Sequence, residues 1–255
     1  MINRVITNVL DEVMHCPTTL TRWLHDPPAI RALRQLPLKA KILDVGCYGF
    51  RQVEIARRNQ RPDLVHFGLD HPHANIREVP EGFNYRSCDV NREPFPFPNQ
   101  MFDFVVATHV LEHIRDPILF LSECVRVCKP GGVISVETPS ERSIFLPGFP
   151  FEHEKFMSLS FFDDPTHLGR PWSTQGLYRL AQSLGLTEIH ASYDWSLPVA
   201  LLSPLLLPLL WISKQARAFQ YVAWKAVGWN ARLLARRALG SEAGSNFQYF
   251  IPHRS

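Results

Sequence analysis

The stretch KILDVGCYGF, residues 41–50, decides the fold of this chain. Ile42, Leu43 and Val45 form a run too short for a helix, and apolar side chains stand on both of its faces, which predicts a parallel strand covered on both sides. Gly46 ends the run. Gly46 and Gly49 let the chain turn sharply and bring its backbone close to a ligand.

The same reading extends outward. Arg51 to Asn59 is a helix, and Leu64 to Leu69 is a second strand ending at Asp70. Phe83 to Ser87 is a third strand, before Cys88 and Asp89, and Phe102 to Ala107 a fourth. Asp116 and Pro117 open a helix as N-cap and first residue, with Leu121, Cys124, Val125 and Cys128 as its apolar stripe. Lys129-Pro130-Gly131-Gly132 stops that helix before a fifth strand, Val133 to Glu137. Ser173 caps another helix, and Leu186 to Tyr193 and Asn246 to Ile251 are read as the last strands. Strands alternating with helices predict an α/β, Rossmann-like, doubly wound fold with a mostly parallel seven-stranded sheet and helices on both faces. Residues 1–38, broken by Pro17, Pro27, Pro28 and Pro37, form a helical cover to a domain spanning 39–255.

Composition narrows the function. With 45% hydrophobic and 20% charged residues the chain is globular, and a net charge of +3 is too small to argue for nucleic acid. The five cysteines fit no disulfide scaffold, and the N-terminal apolar stretch is too short for a signal peptide, so the expected compartment is the cytoplasm. Cys124 and Cys128 have no second Cys/His pair at zinc spacing, and no metal site is expected.

In doubly wound sheets ligands bind at the carboxyl ends of the strands. That rule selects Asp44, Gly46, Cys47 and Gly49, then Asp70, Asp89 and Thr108-His109. A carboxylate at Asp70 can accept from a ribose diol, and Asp89 from an adenine amino group, so an adenosine-containing ligand is expected. A nicotinamide dehydrogenase would need Gly-x-Gly-x-x-Gly straight after the strand, but Tyr48 and Arg51 stand where its later glycines belong.

LDVGCYGF resembles the first motif of class I S-adenosylmethionine-dependent methyltransferases, and FGLD resembles their second. PFPNQMFDFVVATHVLEHI resembles the stretch around their fourth strand, and VCKPGG the turn before their fifth, over about residues 40 to 140. The resemblance implies S-adenosyl-L-methionine as methyl donor. By position, Asp44, Gly46, Cys47 and Gly49 would lie along its methionine part, Asp70 and His71 at the ribose, and Asp89 and Val90 at the adenine. Thr108 and His109 would border the sulfonium and the acceptor. The family usually has glycine at the positions of Tyr48 and Phe50, so this turn is expected to be shaped differently, with Tyr48 able to cover the pocket.

A base is needed only if the acceptor loses a proton as it attacks, and His109, His113, His153 and His167 are the candidates. His113 follows His109 at helical spacing and is read as supporting the fold. DPTHLGRPWS, inside the polar and aromatic segment 151–173, resembles methyltransferases of bacterial cell-surface sugar and lipid pathways and makes His167 the first choice, with His109 second. A metal held by His153, Asp164 and His167 is the lesser reading of that segment.

An insertion is expected at about 197–243. Leu197 to Ile212 is almost wholly apolar, is interrupted by Pro198, Pro204 and Pro208, and is too short for a span of ~20 residues. Lys214, Arg217, Lys225, Arg232, Arg236 and Arg237 follow, interleaved with Trp224 and Trp229. An apolar hairpin and a basic helix would together suit a membrane interface through 197–240, and a lid or dimer surface is the alternative. The expected activity is methyl transfer to a small-molecule, sugar or lipid-linked acceptor, as O-methylation in cell-envelope metabolism. The alternatives are a hydrophobic phenolic or quinone precursor, and a protein that binds S-adenosylmethionine without turnover.

Overall fold

The computed structural model describes residues 27–74, 76, 78–146, 159–213 and 215–240. Seven strands are present: β1 (Lys41–Val45), β2 (Val65–Asp70), β3 (Asn84–Ser87), β4 (Phe102–Thr108), β5 (Cys128–Pro139), β6 (Leu186–Tyr193) and β7 (Asn230–Arg237). They form one sheet in the order β3-β2-β1-β4-β5-β7-β6. Only β7 runs antiparallel to its neighbours β5 and β6; the other pairings are parallel. The expected mostly parallel, doubly wound α/β architecture is therefore present.

Helices cover both faces: α1 (Pro28–Gln35), α2 (Arg51–Arg58), α3 (Pro117–Val127), α4 (Thr174–Ser183), α5 (Leu197–Ile212) and α6 (Ala216–Val227). Strand β1 shows why the sequence had to be read as buried. Leu43 and Val45 join the larger apolar cluster with Phe102 and Leu121, while Ile42, one residue before Leu43, points into the second cluster with Ile55 and Phe104. Period-two alternation places apolar side chains in both layers at once. Local caps close the helices as anticipated. The Asp116 carboxylate accepts from the amides of Ile118 and Leu119 at the start of α3, and the Ser173 hydroxyl accepts from Gly176 N in α4.

The C-terminal third differs from expectation. The last strand of the sheet lies at Asn230–Arg237, inside the stretch expected to be a basic helix, and 246–251 lies outside the described residues. The signal was in NARLLARR: the buried Ala231, Leu233 and Ala235 alternate with the less buried Arg232, Leu234 and Arg236, a strand period that clustered arginines hide. Those arginines serve the fold. Arg232 meets Glu137 and Asp194, Arg236 meets Glu188, and Arg237, 2% exposed, donates to the Val125 carbonyl in the last turn of α3. A cation there complements the carbonyl end of the helix.

The apolar stretch is also not a hairpin. It is the single helix α5, with Pro204 and Pro208 inside it. Pro204 has no amide for the Ala200 carbonyl, and the Ser203 hydroxyl takes that carbonyl at 2.8 Å instead. Cys128 belongs to β5 rather than to the stripe of α3. Of the expected N-terminal cover, α1 lies among the described residues. Arg61 ties it down by donating to the carbonyls of Leu33, Arg34, Leu36 and Pro37.

Candidate active site

The chain reverses strand order between β1 and β4, so the crevice at their carboxyl ends is where a doubly wound sheet takes its ligand. Gly46 (φ +75°) and Gly49 (φ +80°) both adopt left-handed conformations in the turn after β1. A side chain at Gly46 would come within 2.5 Å of Val110 Cγ2, so glycine is needed for close approach as well as for conformation. At Gly49 a side chain would meet nothing within 4 Å, and this is where the turn faces open space. Phe50 takes φ +51° at a position where the family usually has glycine. Its ring packs edge-on against Phe83 at 4.8 Å, which offsets a backbone that L-residues rarely adopt. Tyr48 is 69% exposed and does not fold over the turn.

Three acids line the strand ends. Asp44 is 5% exposed and has no hydrogen-bond partner among the described residues. Burial first, then the nearby Asp70, push its pKa well above the ordinary carboxylate value, and Arg51 only partly offsets them. Asp70 accepts Tyr48 N on one oxygen (2.9 Å) and His71 N on the other (2.8 Å). Each oxygen keeps a lone pair, so a pair of vicinal hydroxyls can be received there. Asp89 accepts Asn91 N at 3.0 Å in a local turn, and its other oxygen faces His71 Nε2 at 3.6 Å and Arg92 Nε at 3.3 Å. Val90 packs against the main apolar cluster beside it. Cys47 is buried, and burial with the two neighbouring acids pushes its thiol up to about 12, so it stays protonated.

S-adenosylmethionine fits these residues. An unpartnered, buried carboxylate at Asp44 suits a cationic ammonium, the pinned Asp70 suits a ribose diol, and the Gly46–Gly49 turn gives a ligand backbone access. Bound there, the cofactor would supply a methyl group already activated by its sulfonium.

At the end of β4 the structure adds a residue that sequence reading missed. His109 takes φ +56°, strained for a non-glycine residue, and its Nδ1 lies 3.1 Å from Glu112 Oε1. Glu112 is 1% exposed, and its second oxygen accepts from Thr138 Oγ1 at 3.1 Å. Burial lowers the His109 pKa, but the Glu112 hydrogen bond and the charges of Glu112 and Glu137 outweigh it, and the net shift is upward. The signal available in the sequence was the three-residue spacing of histidine and glutamate in HVLE.

His109 and His113 do not share a helix face. His109 precedes the short 3-10 turn Leu111–His113 and faces Glu112 and Asn230. His113 turns to Thr166 and to His167, whose ring centroid is 5.0 Å away. His167 is nearly buried, with its side chain 7% exposed and Nδ1 held by the Phe161 carbonyl at 2.7 Å. Glu112, His113 and His167 each present one atom that could ligate a metal, all within 4.8 Å of one another. Asp164 lies on the rim of that group, and His153 lies outside the described residues.

Comparison with known proteins places the chain in a family. A family model described as a methyltransferase domain matches residues 21–191, well over half of the chain. A ubiquinone biosynthesis O-methyltransferase of Rhizobium etli is 32% identical over 192 residues, covering 68% of this chain and 71% of that one. A probable S-adenosylmethionine-dependent methyltransferase of Mycolicibacterium smegmatis is 37% identical over 114 residues; the match covers 42% of this chain and 40% of the relative's length. Among solved structures, an S-adenosylmethionine-dependent methyltransferase from Archaeoglobus fulgidus superposes with TM-score 0.55 at 17% identity, covering 91% of this chain and 99% of that one. A phosphoethanolamine N-methyltransferase of Haemonchus contortus, in complex with S-adenosyl-L-methionine, gives 0.54 at 16% identity over 82% and 51%. Those two likenesses are of fold. The chain belongs to the class I S-adenosylmethionine-dependent methyltransferases, and S-adenosylmethionine is its cofactor.

Proposed function

We propose that this methyltransferase O-methylates a hydrophobic, ring-bearing acceptor at a membrane surface, with His109 as general base. The observation that carries the proposal is the His109–Glu112 pair at the end of β4, beside the Gly46–Gly49 turn where the cofactor is expected. Glu112 would fix the imidazole with its proton on Nδ1, and Nε2, which the Asn230 amide nitrogen approaches at only 3.4 Å, would take the acceptor's hydroxyl proton as the acceptor displaces that long contact. Deprotonation raises the nucleophilicity of the oxygen as it lines up with the methyl carbon. The likeness to ubiquinone-biosynthesis O-methyltransferases favours a phenolic or quinone precursor over a cell-envelope sugar.

Helix α5 supports the membrane part of the reading. It contains no charged residue and buries none of its sixteen residues; Leu201 is 72% and Ile212 77% exposed. Among the described residues no helix is long and apolar enough to cross a membrane, so α5 would lie in the interface and present a greasy surface to a lipid-like acceptor.

Because the folded pKa of His109 lies above the ordinary histidine value, its neutral, working form accumulates only as pH rises past that higher value. The rate is therefore expected to rise with pH along a limb displaced to the alkaline side of 6.5. His109→Gln should lower kcat by ~100-fold or more and remove the limb. Glu112→Gln should move the limb to lower pH, because it removes the main cause of the upward shift. The assay is transfer of labelled methyl from S-adenosylmethionine into lipid and aqueous fractions of cell extract. Label confined to the aqueous fraction, or a limb unmoved in both variants, would count against the proposal.

A further inference from the structure

Beside His109 lie buried polar atoms that have no hydrogen-bond partner among the described residues. Trp224 of α6 and Trp229 stack at 4.3 Å and 15°, and the His109 ring is 6.4 Å from the first and 5.9 Å from the second. Trp229 is 3% exposed and anchored, its indole N–H donating to the Leu159 carbonyl at 2.6 Å. Trp224 is the outer ring of the pair and stays partly exposed. Its indole nitrogen is buried, and among the described residues it has no hydrogen-bond partner. Asn230, at the start of β7, shows the complementary defect. Its amide nitrogen donates to Glu137 and lies 3.4 Å from His109 Nε2, yet its buried Oδ1 has no partner among the described residues. A buried orphan donor and a buried orphan acceptor each destabilise a fold unless something satisfies them.

The neighbouring charges do not fill that need. Glu137 is held by Arg232 at 2.7 Å, Arg232 also meets Asp194 at 2.8 Å, and Asp194 is paired with Lys225. These groups are committed to one another, so among the described residues the open valences around the imidazole are one indole N–H and one amide oxygen, against a flat aromatic plate.

We propose that Trp224 and Asn230 form the acceptor's binding site: the Trp224 indole, backed by Trp229, stacks on a planar ring, and its N–H with Asn230 Oδ1 holds a hydroxyl beside the one that reacts at His109. One donor and one acceptor are what a hydroxyl next to the reacting oxygen requires, since it accepts from Trp224 and donates to Asn230. A sugar ring would present several further hydroxyls, and the side chains here that could bind them are already paired. The assignment rests on the reading of His109 as the reacting centre and gives the insertion a part in choosing the substrate. The ring is bound at α6, and an apolar tail can run along α5, which packs against it.

The probe is octyl 3,4-dihydroxybenzoate, with octyl β-glucoside as a tail-matched sugar. Binding is read by indole fluorescence and by titration in the presence of S-adenosylhomocysteine, so it is measured apart from turnover. Trp224→Leu should raise the dissociation constant for the aromatic ester about tenfold or more, and Trp224→Phe by less because it keeps the stacking face. Asn230→Leu should weaken the dihydroxy ester yet leave octyl benzoate, which lacks both hydroxyls, unchanged. Cofactor affinity should stay at the wild-type value in each variant, which separates loss of the site from loss of the fold. Unchanged binding of the ester by Trp224→Leu, or tighter binding of the glucoside than of the ester by the wild type, would overturn the assignment. Should the ester bind as expected while His109→Gln retains full turnover, the reading of His109 as base fails and the acceptor site stands.

Discussion

Replacing Asp44 with asparagine is expected to raise the melting temperature of the cofactor-free protein while weakening S-adenosylmethionine binding more than tenfold. The two effects share one cause. The carboxyl of Asp44 is buried without a hydrogen-bond partner among the described residues, and burial with the neighbouring Asp70 raises its pKa. A group that holds its proton more tightly folded than unfolded makes stability fall as pH rises from 3.8 through the folded value. Above that range the full cost of the buried charge applies. Asparagine keeps the shape and removes the charge, for a gain of about 1 kcal/mol, which moves the melting temperature of a chain this size by ~2–4 °C. The ammonium of the ligand then loses a charge-assisted hydrogen bond worth ~1.5–3 kcal/mol, a factor of roughly ten to a hundred in affinity. Thermal unfolding without ligand and calorimetric titration with it measure both. A variant that melts lower and binds as well as wild type would show that Asp44 serves the fold alone.

Asp194→Ala should be the most destabilising single change in the C-terminal third. Asp194 is 7% exposed and receives both Lys225 and Arg232, whose side chains are 4% and 16% exposed. Burial and the nearby Arg232 already draw the Lys225 pKa down to about 8, and Asp194 opposes them. Without it, two buried cations face one another, with Glu137 as their remaining acid in the described network. Removing one partner of a buried pair costs about 3–5 kcal/mol, or on the order of 10 °C in melting temperature. Adding Lys225→Met to Asp194→Ala should recover part of that loss, because the uncompensated charge goes with the lysine. Since the folded pKa of Lys225 lies below its unfolded value of 10.5, wild-type stability from this group should rise as pH goes from about 8 toward 10.5. A loss under about 1 kcal/mol in the single variant, or no recovery in the double, would contradict the pairing.

The half of the molecule where the cofactor is expected was legible because the strand ends that mark a candidate site also end the apolar runs of the fold. Val45-Gly46, Leu69-Asp70 and Ala107-Thr108 each end an apolar run, and the doubly wound topology makes those ends a site wherever they fall. The C-terminal third resisted reading because its charges contradict its burial. Arg232 and Arg237 look like solvent-facing residues of a basic helix, and only the paired acids Glu137 and Asp194 and the carbonyls of α3 explain why a central strand can carry them. Glu112 was hidden for a related reason. A glutamate in a short turn reads as a surface residue until the structure shows it buried between His109 and Thr138. Trp224 and Trp229 were noticed for their place among basic residues, whereas their stacking on each other depends on the return of the chain from α6 into β7.

Titration of S-adenosylmethionine into the wild-type protein and into Asp70→Ala, with NAD as a control ligand, tests the placement of the cofactor most directly. The wild type should bind S-adenosylmethionine at a single site and fail to bind NAD. The Asp70→Ala protein should lose at least tenfold in affinity, since the carboxylate that Tyr48 N and His71 N hold in position is the one left to receive the ribose. Normal binding by Asp70→Ala, or no binding of S-adenosylmethionine by the wild type, would contradict it.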